Sequence, residues 1–232
     1  MKTYDRFVLD IEGTTTSISF VYDELFPFAR NEVQNYLSQN WDTLSEVRAG
    51  LLAQAESDRA EGLSAPLPDS PENAAKNVLW QMDQDRKTTA LKSLQGMIWK
   101  AGYKDGRLKG HVFPDVPAAL HRWHGRGAKT YIYSSGSIAA QKLLFGHSVA
   151  GDLTGMLSGY FDTTTGPKRE AASYRLIKEA IGGEHVLFAT DILQEAQAAS
   201  EAGFDVVLMQ RPGNAEQGAY AFPCAADFEK FK

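Results

Sequence analysis

Apolar positions along the chain recur with two different periods, and the texture changes near residue 110. The first apolar run, Phe7-Val8-Leu9, is short and continuous; it ends at Asp10 and gives way to Gly13-Thr14-Thr15-Thr16. A run of this length closed by glycine and hydroxyl residues predicts a buried strand feeding a loop. Beyond it Tyr22, Leu25, Phe26, Ala29, Val33, Tyr36 and Leu37 fall close to i, i+3, i+4, i+7, the stripe of an amphipathic helix. A second helical stretch covers 44–60. The prolines of Ser64-Ala65-Pro66-Leu67-Pro68-Asp69-Ser70-Pro71 cannot continue it. Helical patterns resume over 72–101, with Leu91, Leu94, Ile98 and Ala101 on one face.

From residue 110 strands and helices alternate. Asp115 is placed to cap a helix over 117–126, which Gly125 and Gly127 end. Strands are predicted at 130–133, in a short segment ending at Phe161, and at 186–189 and 206–209. Helices are predicted around 139–144, 170–180 and 193–202. Such alternation predicts an α/β fold with a doubly wound parallel sheet. The all-helical block interrupts it after the first strand. The expected organisation is an α/β core of residues 1–16 and 106–232 with an all-helical subdomain, 17–105, inserted into it. The chain carries no internal repeat.

Composition narrows the function class. With 232 residues, folding should bury roughly 70% of the unfolded surface, so the core needs no staples. Apolar residues at 43% and charged ones at 23% argue against wholesale disorder. Lys plus Arg number 24 against 29 for Asp plus Glu, a net charge of −5, where a duplex-DNA binder usually carries the opposite sign. No apolar run reaches the ~20 residues that cross a bilayer, and the N-terminal apolar stretch is too short and acidic for a signal peptide. The one cysteine, Cys224, has no intrachain partner, which suits a reducing compartment. A soluble cytoplasmic protein with no nucleic-acid or membrane partner is expected.

Four polar signals sit where the predicted strands end or just past them: Asp10 with Glu12, Ser134 with Ser135, Lys168, and Asp191. Ligands of open α/β sheets gather at those ends. Taken singly each has a bland reading, as a turn cap, a turn or a solvated lysine. Together they supply what a phosphoryl-transfer site needs. An aspartate can attack phosphorus and form an acyl phosphate, splitting hydrolysis into two easier steps. A hard cation must bridge carboxylate and phosphate, and Mg²⁺ binds through one or two carboxylates, a role that Asp10 and Asp191 suit. Ser134, loop N–H groups and Lys168 can meet the charge on the phosphoryl oxygens.

The runs Asp10-Ile11-Glu12-Gly13-Thr14-Thr15 and Tyr133-Ser134-Ser135-Gly136-Ser137, with Lys168 and Thr190-Asp191, resemble in order the four motifs of the haloacid dehalogenase-like phosphatases. With Ala140-Gln141-Lys142-Leu143-Leu144-Phe145-Gly146-His147-Ser148 and Gln210-Arg211-Pro212-Gly213-Asn214-Ala215, the chain is similar to the enolase-phosphatases of methionine salvage over 7–215. The resemblance implies a bifunctional enzyme that enolises 5-methylthio-2,3-dioxopentyl phosphate. It then removes the phosphate through an aspartyl-phosphate, leaving acireductone. It also implies one Mg²⁺ per subunit, held by Asp10, Asp191 and Glu12 through its backbone carbonyl. Asp10, Glu12 and Lys168 would be catalytic, while Ser134, Ser135 and Lys168 would contact the substrate. The helical insert would be a cap, the partner a small-molecule phosphate, and a monomer is expected. Most of the wider superfamily carries Asp where Glu12 stands; Glu is what this subfamily shows.

Other features carry less. Gly146-His147-Ser148-Val149-Ala150 lacks the second glycine of a nucleophile elbow. Gly125-Arg126-Gly127-Ala128-Lys129-Thr130 leads into a strand where a P-loop opens a helix. The five histidines form no zinc-like pair of pairs. Arg211 reads as a loop residue, with a supporting charge as the alternative.

Overall fold

The computed structural model describes residues 2–215 and 221–231. The chain divides into two compact units, residues 1–21 with 109–232, and residues 22–108.

In the first unit β1 (Arg6–Leu9), β2 (Lys129–Tyr133), β3 (Gly159–Phe161), β4 (Val186–Thr190), β5 (Asp205–Met209) and β6 (Cys224–Ala225) form one sheet. Its order is β3-β2-β1-β4-β5-β6, with every pair parallel. Central parallel strands are covered on both faces and therefore read as continuous apolar runs. Accordingly Phe7, Val8 and Leu9 are all buried. The side-chain period of two sends Phe7 to one face, where it stacks on Trp123 at 3.8 Å. Val8 goes to the other face, into a cluster with Tyr133, Tyr174, Ile177 and Phe188. Helices α5 (Asp115–Gly125), α6 (Ile138–Gly146), α7 (Ala171–Ile181) and α8 (Leu193–Glu201) supply the connections. β6, two residues long, went unread because so short a run has no period.

The order of the strands decides where chemistry can sit. From β1 the chain builds outward through β2 and β3, then returns to the other side of β1 for β4, β5 and β6. The reversal falls between β1 and β4, and a crevice opens beyond their carboxyl ends.

The second unit, taken by itself, holds α1 (Phe26–Asn40), α2 (Ser45–Ala60), α3 (Pro71–Asp83) and α4 (Thr89–Lys104). Each buries an apolar stripe, such as Ala29, Val33 and Leu37 in α1. Two elements differ from the periodic reading. The stripe begun at Tyr22 lies first in a π-helical segment, Phe20–Leu25, and is α-helical only from Phe26. Pro27 has no N–H to give to the preceding turn, so regular α-helix starts there. The pattern over 72–101 is two helices, parted at 84–88, where Asp85 takes φ 47°. Thr88 caps the second by accepting from the Leu91 N–H, and its hydroxyl donates to Gln81 at 2.7 Å. No helix among the described residues is long and apolar enough to cross a membrane.

Candidate active site

β1 delivers Asp10 to the reversal. Its backbone N–H still pairs with Ala189 O at 2.9 Å, and its Oδ1 accepts from the Ile11 N–H at 2.8 Å. The chain then turns tightly, with Ile11 O accepting from the N–H groups of Thr14, Thr15 and Thr16. Gly13 takes φ 66°, and a Cβ there would lie 2.3 Å from Asp191 Oδ2. Only glycine meets both conditions. The loop is thereby packed against Asp191, which follows β4 and is 5% exposed. Burial, then the charge of Asp10 and more weakly that of Glu12, push the Asp191 carboxyl up to about 7. Asp10, half-buried Glu12 and Asp191 therefore share one electrostatic neighbourhood. Among the described residues no three His, Cys, Asp or Glu side chains close into a metal-holding cluster.

Lys168 enters from the loop before α7. Its Nζ lies 2.6 Å from Asp10 Oδ1 and 2.8 Å from Glu195 Oε2, and its side chain is 9% exposed. Burial alone would lower its pKa, but the two carboxylates more than offset that and raise it. Glu195 escaped the sequence reading because it looks like the solvated face of α8. It stands four residues after Asp191, one helical turn beyond the strand end. That spacing was the available signal. Thr190 Oγ1 donates to Glu195 Oε2 at 2.9 Å, and burial and then Asp10 push the Glu195 carboxyl up to about 7 against the pull of Lys168.

β2 delivers Ser134, which is buried; its Oγ accepts from the Gly136 N–H at 3.2 Å, while Ser135 is exposed. The register pairs Leu9 with Ile132, so Ser134 stands one residue further along than Asp10 on the neighbouring strand.

The Arg211 segment is more than a surface loop. Arg211 is 6% exposed, donates from Nε to Thr14 O at 2.9 Å, and clasps both Asp115 oxygens at 2.7 and 2.9 Å. Asn214 Nδ2 donates to Gly13 O at 2.9 Å. The carbonyls just after Glu12 are thus held by the chain following β5. The capping role expected of Asp115 is corrected: α5 begins at Asp115 itself, its side chain makes no cap bond, and its carboxylate serves Arg211 and the Phe228 N–H. Arg211→Ala takes the counter-charge from a largely buried Asp115, which keeps only the Phe228 N–H among the described residues, and the donor from Thr14 O. A loss of about 3–5 kcal/mol is expected, as when one partner of a buried pair is removed. Denaturant unfolding measures it, and an unchanged midpoint would refute it.

The reversal flanked by two carboxylates, one paired with a buried lysine, defines the class: a haloacid dehalogenase-like hydrolase, whose family model matches residues 4–203. The chain is 51% identical over 236 residues to "Enolase-phosphatase E1" of Anopheles gambiae, covering 95% of this chain and 80% of that protein. It is 50% identical to a "Probable bifunctional methylthioribulose-1-phosphate dehydratase/enolase-phosphatase E1" of Physcomitrium patens, covering 90% of this chain and 44% of that one. The chain spans less than half the length of several curated relatives it matches. The crystal structure of the UTR4 protein of Saccharomyces cerevisiae superposes with a TM-score of 0.82 at 33% identity, covering 99% of this chain and 100% of that one. The chain belongs to the enolase-phosphatase E1 family of haloacid dehalogenase-like hydrolases.

Proposed function

We propose that this chain catalyses the acireductone synthase reaction of methionine salvage. It enolises 5-methylthio-2,3-dioxopentyl phosphate and then hydrolyses the enol phosphate to acireductone and phosphate. The observation that carries the reading is the Lys168 ammonium lodged between Asp10 and Glu195 at the strand reversal, in a chain whose relatives bear the name enolase-phosphatase.

The donor set fits Mg²⁺. Asp10 and Glu195 flank Lys168 while Asp191 shares the electrostatic field of Asp10, and Mg²⁺ takes hard oxygens with only one or two carboxylates among them. The Asp10 and Asp191 carboxylates and the Glu12 backbone carbonyl would hold one ion, which when bound supplies positive charge between carboxylate and phosphate. Lys168, Ser134 and Ser135 bind the phosphate oxygens. Enolisation moves a proton and leaves the ester intact. Asp10 then attacks phosphorus, the ester P–O bond breaks, and Glu12 gives a proton to the leaving oxygen. Water next attacks the aspartyl-phosphate, returns a proton to Glu12 and frees Asp10. The helical insertion is assigned as the family's cap. A small-molecule substrate and a cytoplasmic setting accompany this reading.

Incubation with the diketo phosphate, following enol absorbance and free phosphate together, tests it. Absorbance should rise before phosphate does. Phosphate without an enol signal would leave a plain phosphatase, and neither signal would end the reading. Glu12→Gln removes the proton but keeps the backbone carbonyl, so phosphate release should fall by ~10²–10⁴, the worth of a general acid. Wild-type phosphate release in that variant would reduce Glu12 to a metal-loop residue.

A further inference from the structure

Lys168 lies in a loop whose backbone is bound in an unusual way. Three consecutive carbonyls lead up to and include the lysine, and each accepts a side-chain hydroxyl. Tyr133 donates to Gly166 O at 2.9 Å, Ser173 to Pro167 O at 2.8 Å, and Tyr174 to Lys168 O at 2.7 Å. All three donors are buried, at 0%, 2% and 0% exposure. Loop carbonyls ordinarily turn to water; these are spent on the core. Ser173 and Tyr174 sit in the first turn of α7, and Tyr133 is the last residue of β2, next to Ser134. Gly166 permits the approach, since with φ 148° a Cβ there would lie 2.2 Å from Ser173 Oγ. The Lys168 ammonium itself stands 5.7 Å from the Tyr133 ring centre.

The geometry fixes the lysine from both ends. A long flexible side chain reaches a defined point only if its backbone origin is set and its head is held. Asp10 and Glu195 hold the head. We propose that Tyr133, Ser173 and Tyr174 are positioning residues that set the origin. This rests on Lys168 meeting the substrate phosphate, as proposed above. The hydroxyls touch no reacting atom; they act through the lysine.

Tyr174→Phe, Tyr133→Phe and the double variant delete oxygens while keeping the aromatic packing of the core. Tyr160→Phe is the control: its hydroxyl, on β3, is buried without a hydrogen-bond partner among the described residues, so its removal breaks no bond to the loop carbonyls. Two quantities are measured well below the melting midpoint. One is kcat and KM with the diketo phosphate; the other is binding of inorganic phosphate by calorimetry in the presence of Mg²⁺. A catalytic group displaced by roughly 1 Å can cost ~10²-fold. Each single variant should lose about tenfold in kcat/KM and bind phosphate correspondingly more weakly, and the double about 10²-fold, with cooperative melting retained. Tyr160→Phe should behave as wild type. Wild-type phosphate affinity in both single variants, or an equal loss in Tyr160→Phe, would overturn the inference. A wild type that binds phosphate but does not turn over the diketo phosphate would instead count against the reaction, while the calorimetric comparison still decides the role of the hydroxyls.

Discussion

Asp10→Asn is expected to reduce phosphate release by several powers of ten while leaving the fold in place. The amide keeps the shape, and its oxygen still accepts from the Ile11 N–H as Oδ1 does at 2.8 Å. What it loses is the negative charge to which the proposed route assigns the attack on phosphorus, and that route without its nucleophile has no partial version. The amide also offers Lys168 no ionic partner, leaving Glu195 as the ammonium's remaining counter-charge. Stopped-flow measurement of free phosphate, beside an acid-quenched digest of the wild type, provides the check. A phosphorylated peptide lacking Asp10 would show that the nucleophile lies elsewhere.

Chelation should abolish turnover, and added Mg²⁺ should restore it. Asp10 and Glu195 pair with the buried Lys168 ammonium, and Asp191 feels the charge of Asp10. A dianionic phosphate approaching that set without a further positive charge meets net repulsion, which low-dielectric surroundings strengthen. Dialysis against EDTA followed by Mg²⁺ titration, with phosphate release as readout, makes the test. Full activity in metal-free buffer would sink the metal-bridged mechanism.

How much of this was legible in the residues depends on whether the signal was local. β1 could be read from Phe7-Val8-Leu9 because both faces of a central parallel strand are apolar, and β2, β4 and β5 followed from the same texture. The break between α3 and α4 was written in the polar run 84–88, but apolar residues kept helical spacing on either side and period alone masked it. Asp10 and Asp191 stood out because each directly follows a strand, and Lys168 because it stands in the loop just before a helix. Glu195 did not, because a carboxylate in the first turns of a helix is ordinarily a solvated one.

The sequence by itself determined the alternation of strands and helices, the helical insertion after the first strand, and the candidate groups at the strand ends, since all of these depend on neighbours within a few residues. The tertiary structure decided which charges meet. Lys168 faces Asp10 and Glu195 only because the chain reverses between β1 and β4 and brings three distant segments to one crevice. Arg211 became a buried clamp on the Thr14 carbonyl because its partner Asp115 lies 96 residues away. A buried charge is tolerated where its counter-charge is already placed, and that placement is a property of the folded sheet, which no local pattern of residues encodes.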